Sequence, residues 1–241
     1  MSESPSPSPF LASVEPTLRF DADRHVACGD VFIAREMAPT GQAIEAMRHG
    51  AALPDRADRG WARVSGVGAL AVLEAAGIAD PASLAHGRGV LFERFVADRP
   101  VTGMVFADPG HFYLDAPRGC MADLLEHITV DVAEPVDAVD LSAEVGRIAV
   151  AGPHSPRLLD ALGLADARQM HPGGHRTIEV IGEPVRICRT DFVPPMAFDL
   201  VIPGEVFNSV LAVICSWGVR LEMNLLPAGR DAVERLAREA A

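Results

Sequence analysis

A repeat sets the tightest limit on how this chain can fold. RVSGVGALAVLEAAGI (Arg63–Ile78) aligns without gaps on AVAGPHSPRLLDALGL (Ala149–Leu164), bringing Val64 onto Val150, Gly66 onto Gly152, Leu73 onto Leu159 and Gly77 onto Gly163 at an offset of 86 residues. A separate pair begins at Phe112 and Phe198. It matches Phe112, Leu114, Pro117 and Leu125 to Phe198, Leu200, Pro203 and Leu211, again 86 residues apart. Two independent matches at one spacing imply a duplicated structural unit.

Each copy reads the same way. A strand ends at Gly66 or Gly152, and apolar residues at helical spacing then run to about Ala75 or Leu162. Hairpins follow. In the first copy Val90–Ala97 turns at Asp98-Arg99-Pro100 into Val101–Ala107, and a turn at Asp108-Pro109-Gly110 leads into His111–Ala116. In the second, RTIEVIG turns at Gly182-Glu183-Pro184 into VRICRT, and FDLVI closes the set. A helix ends each copy, over Cys120–His127 and Glu205–Ser216. The expected fold class is α+β: two pseudo-repeated β-α-β-β-β-α lobes, about 53–135 and 136–217, forming one domain. The Ser/Pro-rich residues 1–20 read as a disordered tail, and 230–241 as an amphipathic helix.

Composition removes several chemistries. All 21 basic residues are arginine, so no lysine can form a Schiff base, carry biotin or lipoate, or serve a P-loop. A net charge of −12, with one Tyr and two Trp, argues against a nucleic-acid partner. No apolar run is long enough for a membrane helix, and the start has no basic or apolar leader. Four scattered cysteines without a CxxC pair fit a cytoplasmic protein with reduced thiols. His171 and His175 frame a polar turn without acidic or thiol neighbours, so no metal is expected. Cys188, in a strand, reads as a small core residue. Gly66-Val67-Gly68-Ala69-Leu70-Ala71 fits the dinucleotide fingerprint, but hairpins follow it and its counterpart is Gly152-Pro153-His154, so the glycines read as backbone geometry.

Four segments, in order, resemble a known family. LPDRADRGWARVSG (Leu53–Gly66), IAVAGPHSPRLLDAL (Ile148–Leu162), RTDFVPPMAFDLVIP (Arg189–Pro203) and RLEMNLLPAG (Arg220–Gly229) are similar to segments of the glycine-cleavage T-protein, the tetrahydrofolate-dependent aminomethyltransferase, and its relatives. The resemblance makes 21–229 a T-protein-like folate-binding domain, shortened and without the family's C-terminal barrel. It implies a pterin ring between the lobes. The family's pterin glutamate falls on Asp199, beside the retained pair Arg189-Thr190, while a loop carboxylate gives way to Pro194-Pro195-Met196. The acidic doublet of the family's first half falls on Thr102-Gly103, with Glu93 or Asp98 as substitutes if the strands slip. Asp199, Arg189 and Thr102 are therefore candidate cofactor-binding residues; Asp115, on the third strand of the first copy, reads as structural or as lining the channel and joins them as a fourth candidate, and none is assigned as catalytic.

The function this implies is a tetrahydrofolate-binding subunit of methyl or aminomethyl transfer, or of oxidative demethylation, working with other subunits of a demethylase or oxidase. Its chemistry, if any, would be of the aminomethyl- or methyltransferase type. The rival is a non-catalytic interaction subunit with a degenerate folate site, its channel filled by residues such as Met104, Phe192 and Met196.

Overall fold

The computed structural model describes residues 4–15 and 17–240. An entry segment of β1 (Ser6–Pro7), α1 (Pro9–Val14) and the hairpin β2 (His25–Cys28) and β3 (Val31–Ala34) leads through α2 (Thr40–His49) to β4 (Ala52–Pro54). The first lobe runs β5 (Arg59–Ser65), α3 (Ala69–Ala75), β6 (Gly89–Val96), β7 (Arg99–Asp108), β8 (His111–Pro117), α4 (Met121–Thr129) and β9 (Asp137–Asp140). The second runs β10 (Val145–Ala151), α5 (Ser155–Ala161), β11 (His175–Val180), β12 (Glu183–Arg189), β13 (Ala197–Pro203) and α6 (Phe207–Arg220). The chain continues into β14 (Leu226–Ala228) and α7 (Arg230–Ala240).

The duplication survives in three dimensions. β5 and β10, α3 and α5, β6 and β11, β8 and β13, and α4 and α6 each begin 86 residues apart. Gly66 and Gly152 both hold positive φ, at +100° and +125°, in the strand-to-helix turn. A side chain on Gly66 would meet the Pro135 carbonyl, and one on Gly68 the Glu134 carbonyl, each at 2.8 Å. Close packing explains these glycines, and the antiparallel sheet around them is no dinucleotide fold.

Each sheet buries one face under its own helices. The first, ordered β6-β7-β8-β5-β9, lays Val64, Val105 and Leu114 against Leu73, Leu124 and Ile128. The second, ordered β11-β12-β13-β10-β4-β14, lays Ile148, Ile187 and Leu200 against Leu159, Val210 and Ile214. Alternation along the strands turns the other faces toward each other.

Two expectations need correction. The lobes do not divide at 135/136. β9, beyond that point, pairs with β5 of the first lobe, whereas β4 pairs with β10 and β14 in the second lobe's sheet. The slot beside each lobe's first strand is thus filled by strands outside the repeated pattern. Nor are residues 6–14 a disordered tail. Ser8 caps α1 by accepting the Leu11 amide, with Pro9 fixed in the first turn. Phe10 packs into the second lobe's core and Leu11 against Phe32. The Ser-Pro alternation hides a cap and two apolar anchors. Residues 1–3 and 16 of that expectation lie outside the described residues.

Candidate functional site

Where the lobes face each other, Trp61, Phe106, Cys188 and Val201 form one buried cluster, flanked by Met104 and Tyr113. Polar groups emerge on the same faces. β8 places Asp115 opposite Trp61 on β5 and Met104 on β7. β13 places Asp199 opposite Ala149 on β10 and Cys188 on β12. Arg147 projects from the middle of β10, Arg59 opens β5, and Arg56 lies just before it, its amide donating to the Arg147 carbonyl at 3.2 Å.

These five side chains make one ion cluster across the lobe boundary. The terminal Nη2 of Arg147 donates to Asp115 at 2.5 Å and to Asp199 at 3.3 Å, while its Nη1 donates to the Gly60 carbonyl at 3.0 Å. Arg56 Nε donates to the other Asp199 oxygen at 3.0 Å, and Arg59 Nε to the other Asp115 oxygen at 2.6 Å. Arg147 and both aspartates are almost wholly shielded from solvent. Their charges are kept because they are paired. Burial pushes the Asp115 carboxyl upward, but Arg147, Arg59 and Arg56 outweigh it and hold the group at about 2. Burial works against the charged form of Arg147 as well, and Asp115 and Asp199 more than offset it.

The expected site residues divide. Asp199 and Asp115 meet on one guanidinium. Thr102 is exposed on β7, and only its carbonyl joins the cluster, accepting from Arg59 at 3.3 Å. Arg189 turns away to Asp191, 2.9 Å from Nε, and to the Met170 carbonyl. The acidic doublet has no room at its expected place, because a Cβ on Gly103 would run into the Asp115 carbonyl and the Phe92 ring. Glu93 lies across from Thr102 on the exposed β6, and Asp98 sits in the hairpin turn. Of the expected channel-filling residues, Met104 lies against the cluster; Phe192 packs near α2 and α7, and Met196 on the second lobe's core. The arginines Arg56, Arg59 and Arg147 were not expected. One signal pointed to Arg147: it is the sole charge in the strand VGRIAVA, and a charge in such a strand requires a partner.

A pterin held on Asp199 does not fit these residues. Both oxygens of Asp199 already face guanidinium groups, and its side chain is fully buried. The space between the sheets is taken by Trp61, Phe106 and Val201. An open cavity of about 290 Å³ lies at the edge of the cluster, lined in part by Arg56, Arg59, Asp58 and Phe192, with the Arg56 guanidinium stacked 3.9 Å from the Phe192 ring centre.

A second polar group crosses the boundary. Arg186 on β12 bonds Asp108 on β7 and donates to His175 Nδ1 at 2.8 Å, while His175 Nε2 donates to the Ala107 carbonyl at 3.1 Å. That arrangement requires the neutral ring. Burial and Arg186 lower the His175 pKa against the pull of Asp108. Cys188 is fully enclosed and burial raises its pKa, so it is a packing residue. Among the described residues no group of His, Cys, Asp or Glu is arranged to hold a metal, and no helix is long and apolar enough to cross a membrane.

Comparison with known proteins gives a consistent answer. The model of the GCVT N-terminal domain matches residues 30–241. Mitochondrial aminomethyltransferase of Pisum sativum is 28% identical over 152 residues, covering 59% of this chain and 37% of the relative. Among solved structures, glycine cleavage system aminomethyltransferase T from Bartonella henselae superposes with a TM-score of 0.78 at 18% identity, covering 98% of this chain and 63% of that one. A chain of the heterotetrameric sarcosine oxidase from Corynebacterium sp. U-96, in complex with pyrrole 2-carboxylate, gives 0.54 at 19% identity, covering 74% and 91%. The present chain therefore spans well under two thirds of the curated relative, and 63% of the first structural one.

Proposed function

Because this chain belongs to the GCVT N-terminal domain family, we propose that it is a component of a one-carbon transfer assembly whose own inter-lobe cleft holds the two lobes together and does not seat a pterin. The carrying observation is Arg147, buried between Asp115 and Asp199 with contacts of 2.5 and 3.3 Å. A carboxylate recruited to bind an edge of N–H donors needs an open face, and here the donors are the protein's own arginines. The likeness to a chain of a heterotetrameric oxidase, 91% of which this chain spans, supports the subunit role; the aminomethyltransferase relative supports the one-carbon context. Calorimetric titration with tetrahydrofolate tests the reading. The expected result is no saturable binding, with Asp199→Ala changing stability alone. Saturable binding that Asp199→Ala abolishes overturns it.

One observation favours a second reading, in which tetrahydrofolate binds at the edge of the cleft. Two segments that carry the family resemblance converge there, supplying Arg56 and Arg59 from one and Phe192 from the other to the cavity of about 290 Å³. On this reading Phe192→Ala weakens tetrahydrofolate binding and the cofactor stacks on that ring.

A further inference from the structure

We propose that a pocket of about 430 Å³ between the loops 85–90 and 170–176 binds a multivalent oxyanion. This site shares no residue with the Arg147 cluster and stands independently of the role proposed above. Its walls are two copies of one turn. Gly87 and Gly173 lie 86 residues apart and have nearly the same left-handed backbone, φ +75° and +76°. The turns are pressed together: the His175 amide donates to the Gly87 carbonyl at 3.1 Å, and a side chain on Gly173 would come within 2.5 Å of the Gly89 carbonyl. Neither loop can relax away from the other without losing this contact. His175 is among the lining residues, and its ring is fixed at both nitrogens by the Ala107 carbonyl and Arg186.

Onto this fixed frame each lobe delivers one arginine, Arg88 from the first and Arg176 from the second. Both are exposed, and among the described residues neither makes an ion pair or a side-chain hydrogen bond. His86 and His171 add ring N–H donors. One carboxylate, Asp166, also lines the pocket. In a chain with 33 acidic and 21 basic residues, two unpaired guanidiniums in one concavity run against the overall charge. Guanidinium forks recognise phosphate and carboxylate oxygens bidentately. A pocket of this size takes a small molecule carrying such a group.

Calorimetry on the full chain with inorganic pyrophosphate and with citrate tests the assignment and separates the two sources of oxyanion. The expected result is one site per chain, weakened about tenfold by Arg88→Ala or by Arg176→Ala. Asp166→Asn should tighten it severalfold, since it removes the one opposing charge. All three positions are exposed, so a thermal melt should confirm intact folding. Binding of pyrophosphate alone assigns a phosphate ligand, binding of citrate alone a polycarboxylate, and binding of both a site that reads charge. Failure of both anions to bind, binding indifferent to both arginine substitutions, or weaker binding by Asp166→Asn overturns the proposal.

Discussion

Trp61 and Arg147 occupy the same position of the duplicated unit, 86 residues apart, and the Arg147 guanidinium lies 5.3 Å from the centre of the Trp61 ring. The copies have diverged so that one supplies the cation and the other the aromatic face that borders it. Their β8 and β13 partners diverged as well: Asp115 corresponds to Val201, and Tyr113 to Asp199. The lobes hold together through residues that became different at matching sites.

Arg147→Met should therefore be costly. It takes from two buried carboxylates the cation they share, leaving Asp115 with Arg59 alone and Asp199 with Arg56 alone, and breaking a buried pair typically costs about 3–5 kcal/mol. Urea unfolding should show that loss, and the triple variant with Asp115→Asn and Asp199→Asn should regain only part of it, because the surplus buried negative charge is gone but Arg56 and Arg59 lose the carboxylates they face. A triple variant as unstable as the sum of its parts would show that the ion cluster is not what joins the lobes.

Stability should respond to pH in two opposed ways. His175 is held neutral, with its pKa lowered by burial and by Arg186, so its contribution is complete above the unfolded value near 6.5 and fades as pH falls below it. Asp55, bonded to Ser8, has its carboxyl raised to about 7 by burial. The folded chain then binds a proton that the unfolded chain releases. That contribution is full below the unfolded value near 3.8 and declines as pH rises toward 7, at no more than about 1.4 kcal/mol per pH unit. Melting curves of Asp55→Asn between pH 4 and 7 should lack this decline, leaving the opposite slope that His175→Gln removes.

Glycine substitutions should separate by space. Gly103→Ala drives a methyl into the Asp115 carbonyl and the Phe92 ring and should cost about 3 kcal/mol or more. Gly41→Ala, in the first turn of α2 with nothing within 4 Å, should gain about 0.4–1 kcal/mol. Chemical denaturation of the two variants side by side reads both signs.

Thiol labelling should follow exposure. Cys215 is exposed on α6, whereas Cys28 and Cys188 are buried, and burial raises the Cys28 pKa to about 11. Native protein should react first at Cys215, and at Cys188 only on unfolding. Early modification of Cys188 would contradict the packed interface between the lobes.

The repeat carried most of the fold into view, because a strand, a glycine turn and a helix at fixed spacing recur as plain sequence identity at Gly66 and Gly152 or Gly77 and Gly163. Two things escaped it. The strands beside β5 and β10 come from different parts of the chain, and β4 at Ala52–Pro54 is too short to show a period. The Arg147 cluster is assembled from residues up to 143 apart, between Arg56 and Asp199, so no local spacing could expose it. Asp199 was visible because a family segment lies over it, and Asp115 because it interrupts the apolar third strand of the first copy. Their arginine partners lie elsewhere in the chain, and a carboxylate seen alone in a sequence does not say which cation it faces.

The unequal strand exchange has a consequence for synthesis. All five strands of the first sheet fall within residues 59–140, so that sheet can close once Asp140 has left the ribosome. The second sheet takes one strand from Ala52–Pro54 and another from Leu226–Ala228, and must wait for nearly the entire chain. Until Ala228 emerges, a finished first half travels beside a sheet in which β4 can join β10 on one side while its other edge, reserved for β14, stays open.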